Sequence, residues 1–228
     1  MLRTVGGVGG QRRPWAALAS GIALDAGLSL FGDTPDTRDP SADVAIYFVT
    51  HRTTILAGVA VTGAALMVFL WSMASMSERL AGEHKVAGRF ALSAATVFAT
   101  LVIATMLVPY AALSYSVAAT SPALASSLFQ ITLVTAPLIA APLAALMIAV
   151  GFAGRARTTK TWLSIASIVG GTSLLASASA FAARGLMSPD VQQQIVFGIT
   201  TLWLAAVPFG TTRAAITMKC QHLVGPDQ

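Results

Sequence analysis

Charged side chains are scarce in this chain. Only 10% of its 228 residues are Asp, Glu, Lys or Arg, whereas a soluble domain carries about 25%. Apolar residues make up 55% of the sequence, and the mean hydropathy is +0.74. A water-soluble fold of this size cannot bury so much apolar surface, so the composition predicts an integral membrane protein.

The residues that support metal binding and nucleophilic catalysis are also few. The single cysteine, Cys220, excludes a disulfide within one chain. The three histidines are scattered, and Cys220 with His222 is too small a set for a zinc site. No HExxH, GxSxG, P-loop or dinucleotide-binding glycine pattern occurs. We therefore expect no catalytic residues, no metal, no cofactor and no enzymatic activity.

Positive charge is in excess, with a net charge of +5 and a pI near 10. In a soluble protein this balance would suggest nucleic acid, but here the basic residues lie in short loops beside apolar runs. Most of them fall in the N-terminal segment, two loops and the C-terminal tail, and only Arg38, Arg52 and Arg184 fall on the other side. The positive-inside rule then predicts that both termini are cytoplasmic, and we expect no nucleic-acid partner.

Six apolar segments approach the ~20 residues that a membrane-spanning helix needs. None shows the strict alternation of a β-barrel strand. We expect an all-α, six-transmembrane-helix bundle (N-in/C-in) in a bacterial plasma membrane, formed by residues 15–212 between a cytoplasmic segment (1–14) and a cytoplasmic tail (213–228). The spans are predicted at 15–32, 53–76, 89–110, 127–152, 162–183 and 193–212. A cleaved export signal is the alternative for the first span, but Asp25 interrupts it and no cleavage site follows.

Asp25 is the most informative single residue, because a carboxylate inside a membrane span costs several kcal/mol unless it is paired, protonated or solvated. Ala17, Gly21 and Ser29 lie four or eight residues from it, which suggests a small and polar helix face that packs on other helices. We expect Asp25 to point into the bundle. It would serve either as a proton- or cation-responsive group or as a hydrogen-bonded structural residue.

The acidic stretch that follows the first span contains Asp39-Pro40, which reads as a helix N-cap with Pro at the first helical position. From there the pattern predicts one helix to about residue 77, whose first turns form a short external amphipathic extension before the second span. One face of the extension carries Val44, Tyr47, Phe48, His51 and Ile55. That face either covers the outer mouth of the bundle or lies in the lipid headgroups, and His51-Arg52 could meet Asp25, a headgroup phosphate or a ligand.

Prolines interrupt three spans. Pro109-Tyr110 is expected to end the third span, Pro137 and Pro142 lie in the fourth, and Pro208 lies in the sixth. Broken helices build binding sites in transporters, although prolines are also common in membrane helices. Val-Pro-aromatic triplets in the third span of each half hint at an inverted 3+3 repeat. Gln130 adds a polar group to the fourth span, and residues 111–126 are expected to form an uncharged external loop.

The stretch "DTPDTRDPSADVAIYFVTHR" resembles an element of uncharacterised multi-pass membrane proteins of high-GC bacteria such as actinobacteria. In those proteins an acidic Asp/Pro segment and a V-x-x-Y-x-x-x-[HN]-R element separate the first two spans. The resemblance implies a domain of unknown function, and it brings no catalytic residues.

Three functional hypotheses follow. The first is a non-enzymatic accessory, sensor or assembly subunit with a membrane-protein partner or a second copy of itself, besides the lipid bilayer. The second is a small transporter or ligand-binding bundle that uses Asp25 and the proline-broken helices. The ligand or ion candidates are Asp25, Tyr47, His51, Arg52, Tyr110 and Gln130. A membrane enzyme that uses Asp25 and His51 is the third.

Overall fold

A computed structural model describes residues 13–36, 39–81, 85–154, 161–178 and 189–211, and all of the regular secondary structure in them is helical. These residues form ten α-helices in chain order: α1 Arg13–Ser29, α2 Ser41–Thr50, α3 Arg52–Ala81, α4 Lys85–Val102, α5 Val108–Ala112, α6 Ala118–Thr120, α7 Pro122–Thr135, α8 Ala140–Gly154, α9 Thr161–Ala178 and α10 Pro189–Thr211. Two π-helical segments, Ile103–Leu107 and Leu113–Val117, join α4 to α6, and the 3-10 segment Ala136–Ile139 joins α7 to α8.

Three helical stretches are long and apolar enough to cross a membrane: Arg52–Glu78, Lys85–Thr120 and Pro122–Ala153. The apolar parts of α1, α9 and α10 within the described residues are shorter. The all-helical fold class is therefore confirmed for the described residues, and these three candidate spans fit a membrane protein by length and composition.

Six of the described helices, α1, α3, α4, α8, α9 and α10, form a series in which each packs on the next one along the chain. α1 packs on α3, α3 on α4, α4 on α8, α8 on α9, and α9 on α10, which returns to α1. α2 lies apart from this series and contacts α7, α6 and the π-helical segment Leu113–Val117. We call the end of the bundle that carries α2 the α2 end.

Small residues set two of the closest helix crossings, as their abundance predicted. A Cβ on Gly58 of α3 would stand 2.8 Å from the carbonyl oxygen of Gly27 on α1. A Cβ on Gly151 of α8 would stand 2.9 Å from the carbonyl oxygen of Ser164 on α9. Neither site has room for a methyl group, and this close backbone approach provides van der Waals packing where lipid supplies no hydrophobic driving force.

The expected break at Pro109 and the expected loop at 111–126 are both wrong. The helix continues through Pro109 to Thr120, and only Ser121 (φ −150°, ψ 96°) interrupts it before α7 begins. A proline ring clashes with the carbonyl four residues earlier in a regular α-helix. The π-helical segment Ile103–Leu107 precedes Pro109 and has a wider turn, which accommodates the ring without ending the helix.

The helix expected from Pro40 to about residue 77 is divided at His51. α2 begins at Ser41, one residue later than expected, with Pro40 at the N-cap position. Asp39 instead accepts a hydrogen bond from the backbone N–H of Asp36 (2.8 Å). His51 takes φ −97° and ψ 17°, outside the α-helical region, and so separates α2 from α3.

Candidate functional site

The face of α2 that periodicity singled out packs on the bundle. Val44, Tyr47, Phe48 and Ile55 are buried, whereas His51 is exposed. The alternative in which this face lies in lipid headgroups is therefore not what the structure shows. α2 covers one end of the helices, where it contacts α7 and the segment Leu113–Val117.

Aromatic rings from α2, α5, α7 and the turn after α1 meet at the α2 end of the bundle. The Phe48 ring lies 5.4 Å from that of Tyr110 and 5.6 Å from that of Phe129, centroid to centroid, and both pairs are edge-on. The Phe31 ring lies 4.9 Å from Tyr110, and the Tyr47 ring lies 5.0 Å from Phe48. Such pairs are worth about 0.5–1.5 kcal/mol each beyond their burial. We call these five residues the aromatic cluster.

Tyr47 ties α2 to the end of α1. Its hydroxyl donates a hydrogen bond to the backbone carbonyl of Phe31. Gly32 follows at φ +65°, a conformation that only glycine adopts at little cost, and so turns the chain just after that carbonyl. Burial, together with the negative charge of Asp33, raises the pKa of Tyr47 to about 12. The phenol is therefore neutral at physiological pH and acts as a donor.

His51 and Arg52 border the aromatic cluster but do not enter it. The His51 ring lies 5.0 Å from the Tyr47 ring, and its Nδ1 lies 3.1 Å from the Tyr47 carbonyl oxygen. The Arg52 guanidinium lies over the ring of Tyr115, 5.0 Å from its centroid, which is cation–π distance. Three of the predicted site residues, Tyr47, His51 and Tyr110, thus come together, with Arg52 beside them.

Asp25 does not point into the bundle, so that expectation is wrong. The buried face of α1 is formed by Ala17, Ser20, Gly21, Leu24 and Gly27. Asp25 is exposed, together with Ile22, Ala26 and Ser29, and it makes no hydrogen bond or ion pair with the described residues. A step of four residues overshoots a helical turn by about 40°, so a stripe drawn through Ala17 and Gly21 has left the buried face by Asp25.

The crossing of α1 and α3 fixes the depth of Asp25. A Cβ on Gly27 would stand 2.9 Å from the backbone N of Thr62, and one on Gly58 would meet the Phe31 ring, so the two helices run antiparallel. Thr62 lies ten residues along α3 from Arg52, about 15 Å at 1.5 Å per residue. Asp25 lies two residues before Gly27 on α1, which runs antiparallel to α3. It is therefore about 3 Å further from Arg52 than Gly27 is, or about 18 Å along the axis. It therefore meets neither Arg52 nor His51, and it lies on the outer surface of the bundle, level with the middle of α3.

Two buried hydroxyl groups lack a hydrogen bond among the described residues: Thr62 Oγ1 and Ser114 Oγ. Ser114 belongs to the π-helical segment Leu113–Val117. A buried polar group without a partner costs about 1–3 kcal/mol, and π-helical segments often occur at functional sites. The sequence held no signal for either residue, because serines and threonines are frequent in every span.

Gln130 lies outside the aromatic cluster. It follows Phe129 on α7, and its side chain is exposed.

No group of three or more His, Cys, Asp or Glu side chains within the described ranges is arranged to hold a metal ion. Comparison with known protein families, with curated proteins and with solved structures found no match for this chain.

Proposed function

We propose that this protein is a non-enzymatic assembly subunit of a bacterial plasma-membrane complex. It would be a six-span bundle with both termini in the cytoplasm, and it would bind a membrane partner through the exposed face of α1. The observation that carries the proposal is the exposed Asp25 on the apolar helix α1, level with the middle of α3. A charged side chain facing lipid at that depth costs about 3 kcal/mol on insertion scales.

The surroundings of Asp25 suit a helical partner. Ile22 is 59% exposed on the same face, one turn before Ala26, and Ser29 follows one turn after Asp25. Small residues allow close approach of a second helix, and the carboxylate can accept hydrogen bonds from its Lys, Arg, Ser or Thr side chains. The partner is therefore a transmembrane helix with a cation or hydroxyl at mid-depth, on another protein or on a second copy of this chain.

Copurification in a mild detergent tests the proposal. A photo-crosslinking residue at Ile22 should capture a stoichiometric partner, whereas the same residue at Val169, which is 57% exposed on α9, should capture far less. Asp25→Leu should lower recovery of the partner by tenfold or more, because the partner's polar group would then be left unpaired. A wild-type protein that purifies as a single chain and crosslinks to nothing at Ile22 contradicts the assembly function.

A small transporter or ligand-binding bundle is the second candidate, favoured by the unpartnered hydroxyls of Thr62 and Ser114 and by the π-helical segments around Pro109. Such segments let helices open around a solute. This candidate predicts that Ser114→Ala or Thr62→Val abolishes solute uptake into proteoliposomes while leaving partner recovery unchanged. Under the assembly function, Asp25→Leu should instead lower partner recovery and leave solute uptake unchanged.

A further inference from the structure

A groove opens between the first turns of α4 and the last turns of α8, remote in sequence from the α1 face and the aromatic cluster. Its volume is about 730 Å³. Its walls are apolar: Val86, Ala87 and Phe90 from α4 and Ile148, Ala149, Phe152 and Ala153 from α8. Lys85, the first residue of α4, is the one charged residue among the described residues that line it.

The groove has the polarity gradient of a lipid. Lys85 lies at the helix end, and Phe90 lies five residues further into the apolar span, about 8 Å along the axis. A bilayer passes from headgroup to acyl chain over about 5–10 Å. Phe90 and Phe152 are 54% and 58% exposed, so both side chains present apolar surface along the groove.

The charge at the open end is positive. Arg89 follows Lys85 by four residues, which places it one turn further on the same side of α4, and it is exposed. Basic pockets between membrane helices recognise phosphate-bearing headgroups, and the cytoplasmic leaflet is rich in anionic lipid. A protein helix would need an apolar face longer than two turns, so the groove fits a lipid better.

We propose that this groove binds an anionic phospholipid, with its phosphate at Lys85 and Arg89 and the first methylenes of an acyl chain between Phe90 and Phe152. The lipid is a resident ligand of the α4–α8 pair. The proposal goes beyond the assembly function and does not rest on it, because it uses neither Asp25 nor α1.

Native mass spectrometry of the full chain tests the proposal, with equal amounts of dioleoyl phosphatidylglycerol and dioleoyl phosphatidylcholine added in detergent. The wild-type chain should retain phosphatidylglycerol in preference. Lys85→Met removes the charge but keeps an apolar stem, and it should reduce that preference about fivefold, the usual contribution of one cation near a membrane surface. Lys85→Arg, which keeps the positive charge at the same position, should leave the preference unchanged.

The apolar half of the groove has its own variant. The double change Phe90→Ala and Phe152→Ala should lower retention of both lipids, whereas Trp71→Ala, which removes an exposed ring from α3, should not. Equal retention of the two lipids by the wild type would overturn the proposal, and so would equal effects of Lys85→Met and Lys85→Arg. Displacement of phosphatidylglycerol by millimolar inorganic phosphate would show a phosphate site instead of a lipid site.

Discussion

At the α2 end, the Tyr47 hydroxyl donates to the Phe31 carbonyl and aromatic rings pack around it, whereas on α1 the Asp25 carboxylate is exposed and unpaired within the described residues. Both regions carry polar groups that the sequence marked as candidate sites. In the first, contacts within the chain account for those groups, so they stabilise the fold. In the second, the described residues supply no such contacts, and this is the basis on which we propose a partner outside the chain. The contrast separates structural residues from functional ones.

The largest effect is expected at the centre of the aromatic cluster. Phe48 is 0% exposed, and Phe48→Ala should lower the free energy of unfolding by about 3 kcal/mol, because it removes three ring contacts and leaves a cavity. Ile46→Ala, on the exposed side of the same helix, is the matched control and should change it by less than about 0.5 kcal/mol. Unfolding in graded denaturing detergent measures both. Equal effects would mean that α2 is not docked.

A smaller loss is expected where α1 and α3 cross. Gly58→Ala places a methyl group 2.8 Å from the Gly27 carbonyl oxygen and should destabilise the bundle by about 1–3 kcal/mol. Gly63→Ala on the same helix meets only Leu107, at 4.0 Å, and should be neutral or slightly stabilising, because alanine favours helix. The same unfolding assay compares the two. A harmless Gly58→Ala would refute the close crossing, and with it the depth assigned to Asp25.

Tyr47 should give the α2 end a pH dependence at high pH. Its pKa is raised from 10 to about 12, so the neutral phenol stabilises the folded state fully below pH 10 and progressively less as the pH rises through 12. Tyr47→Phe should lower stability by about 1 kcal/mol at neutral pH through loss of the hydrogen bond. It should also flatten the decline between pH 10 and 12.

Tyr115→Phe is the matched control for this titration, because the Tyr115 side chain is 71% exposed. Its stability curve should follow that of the wild type between pH 10 and 12. Tyrosinate absorbance, recorded alongside unfolding, should show one residue fewer that titrates late in the Tyr47→Phe protein. A wild-type curve that is flat over this range would contradict the burial of Tyr47.

The smallest effect on the isolated chain is expected at Asp25. Because Asp25 makes no hydrogen bond or ion pair with the described residues, Asp25→Leu in detergent should change the unfolding free energy by less than about 0.5 kcal/mol. Its effect should be confined to recovery of the partner. A loss of several kcal/mol in the isolated chain would show that the carboxylate serves the fold.

Helical spacing grouped Val44, Tyr47 and Phe48 on one face of α2, and all three are buried, but it left open whether that face meets the bundle or the headgroups, and it included His51, which is exposed. The sequence failed for Asp25, since small residues occur all round α1 and cannot show which side faces the bundle. It failed again at 111–126, where hydropathy and charge do not distinguish an uncharged helix from an uncharged loop. The π-helical segments around Pro109 and the meeting of Phe31 with Tyr110 depend on tertiary packing, which no local pattern encodes.

The aromatic cluster also sets an order of events during synthesis. Phe129 leaves the ribosome about 80 residues after Phe48, which at 5–20 residues per second is a delay of about 4–16 s. During that interval α2 lacks the α7 surface that it covers in the finished bundle. The α1 face that carries Asp25 is already synthesised by then. The proposed partner can therefore bind the nascent chain before α2 packs on α7.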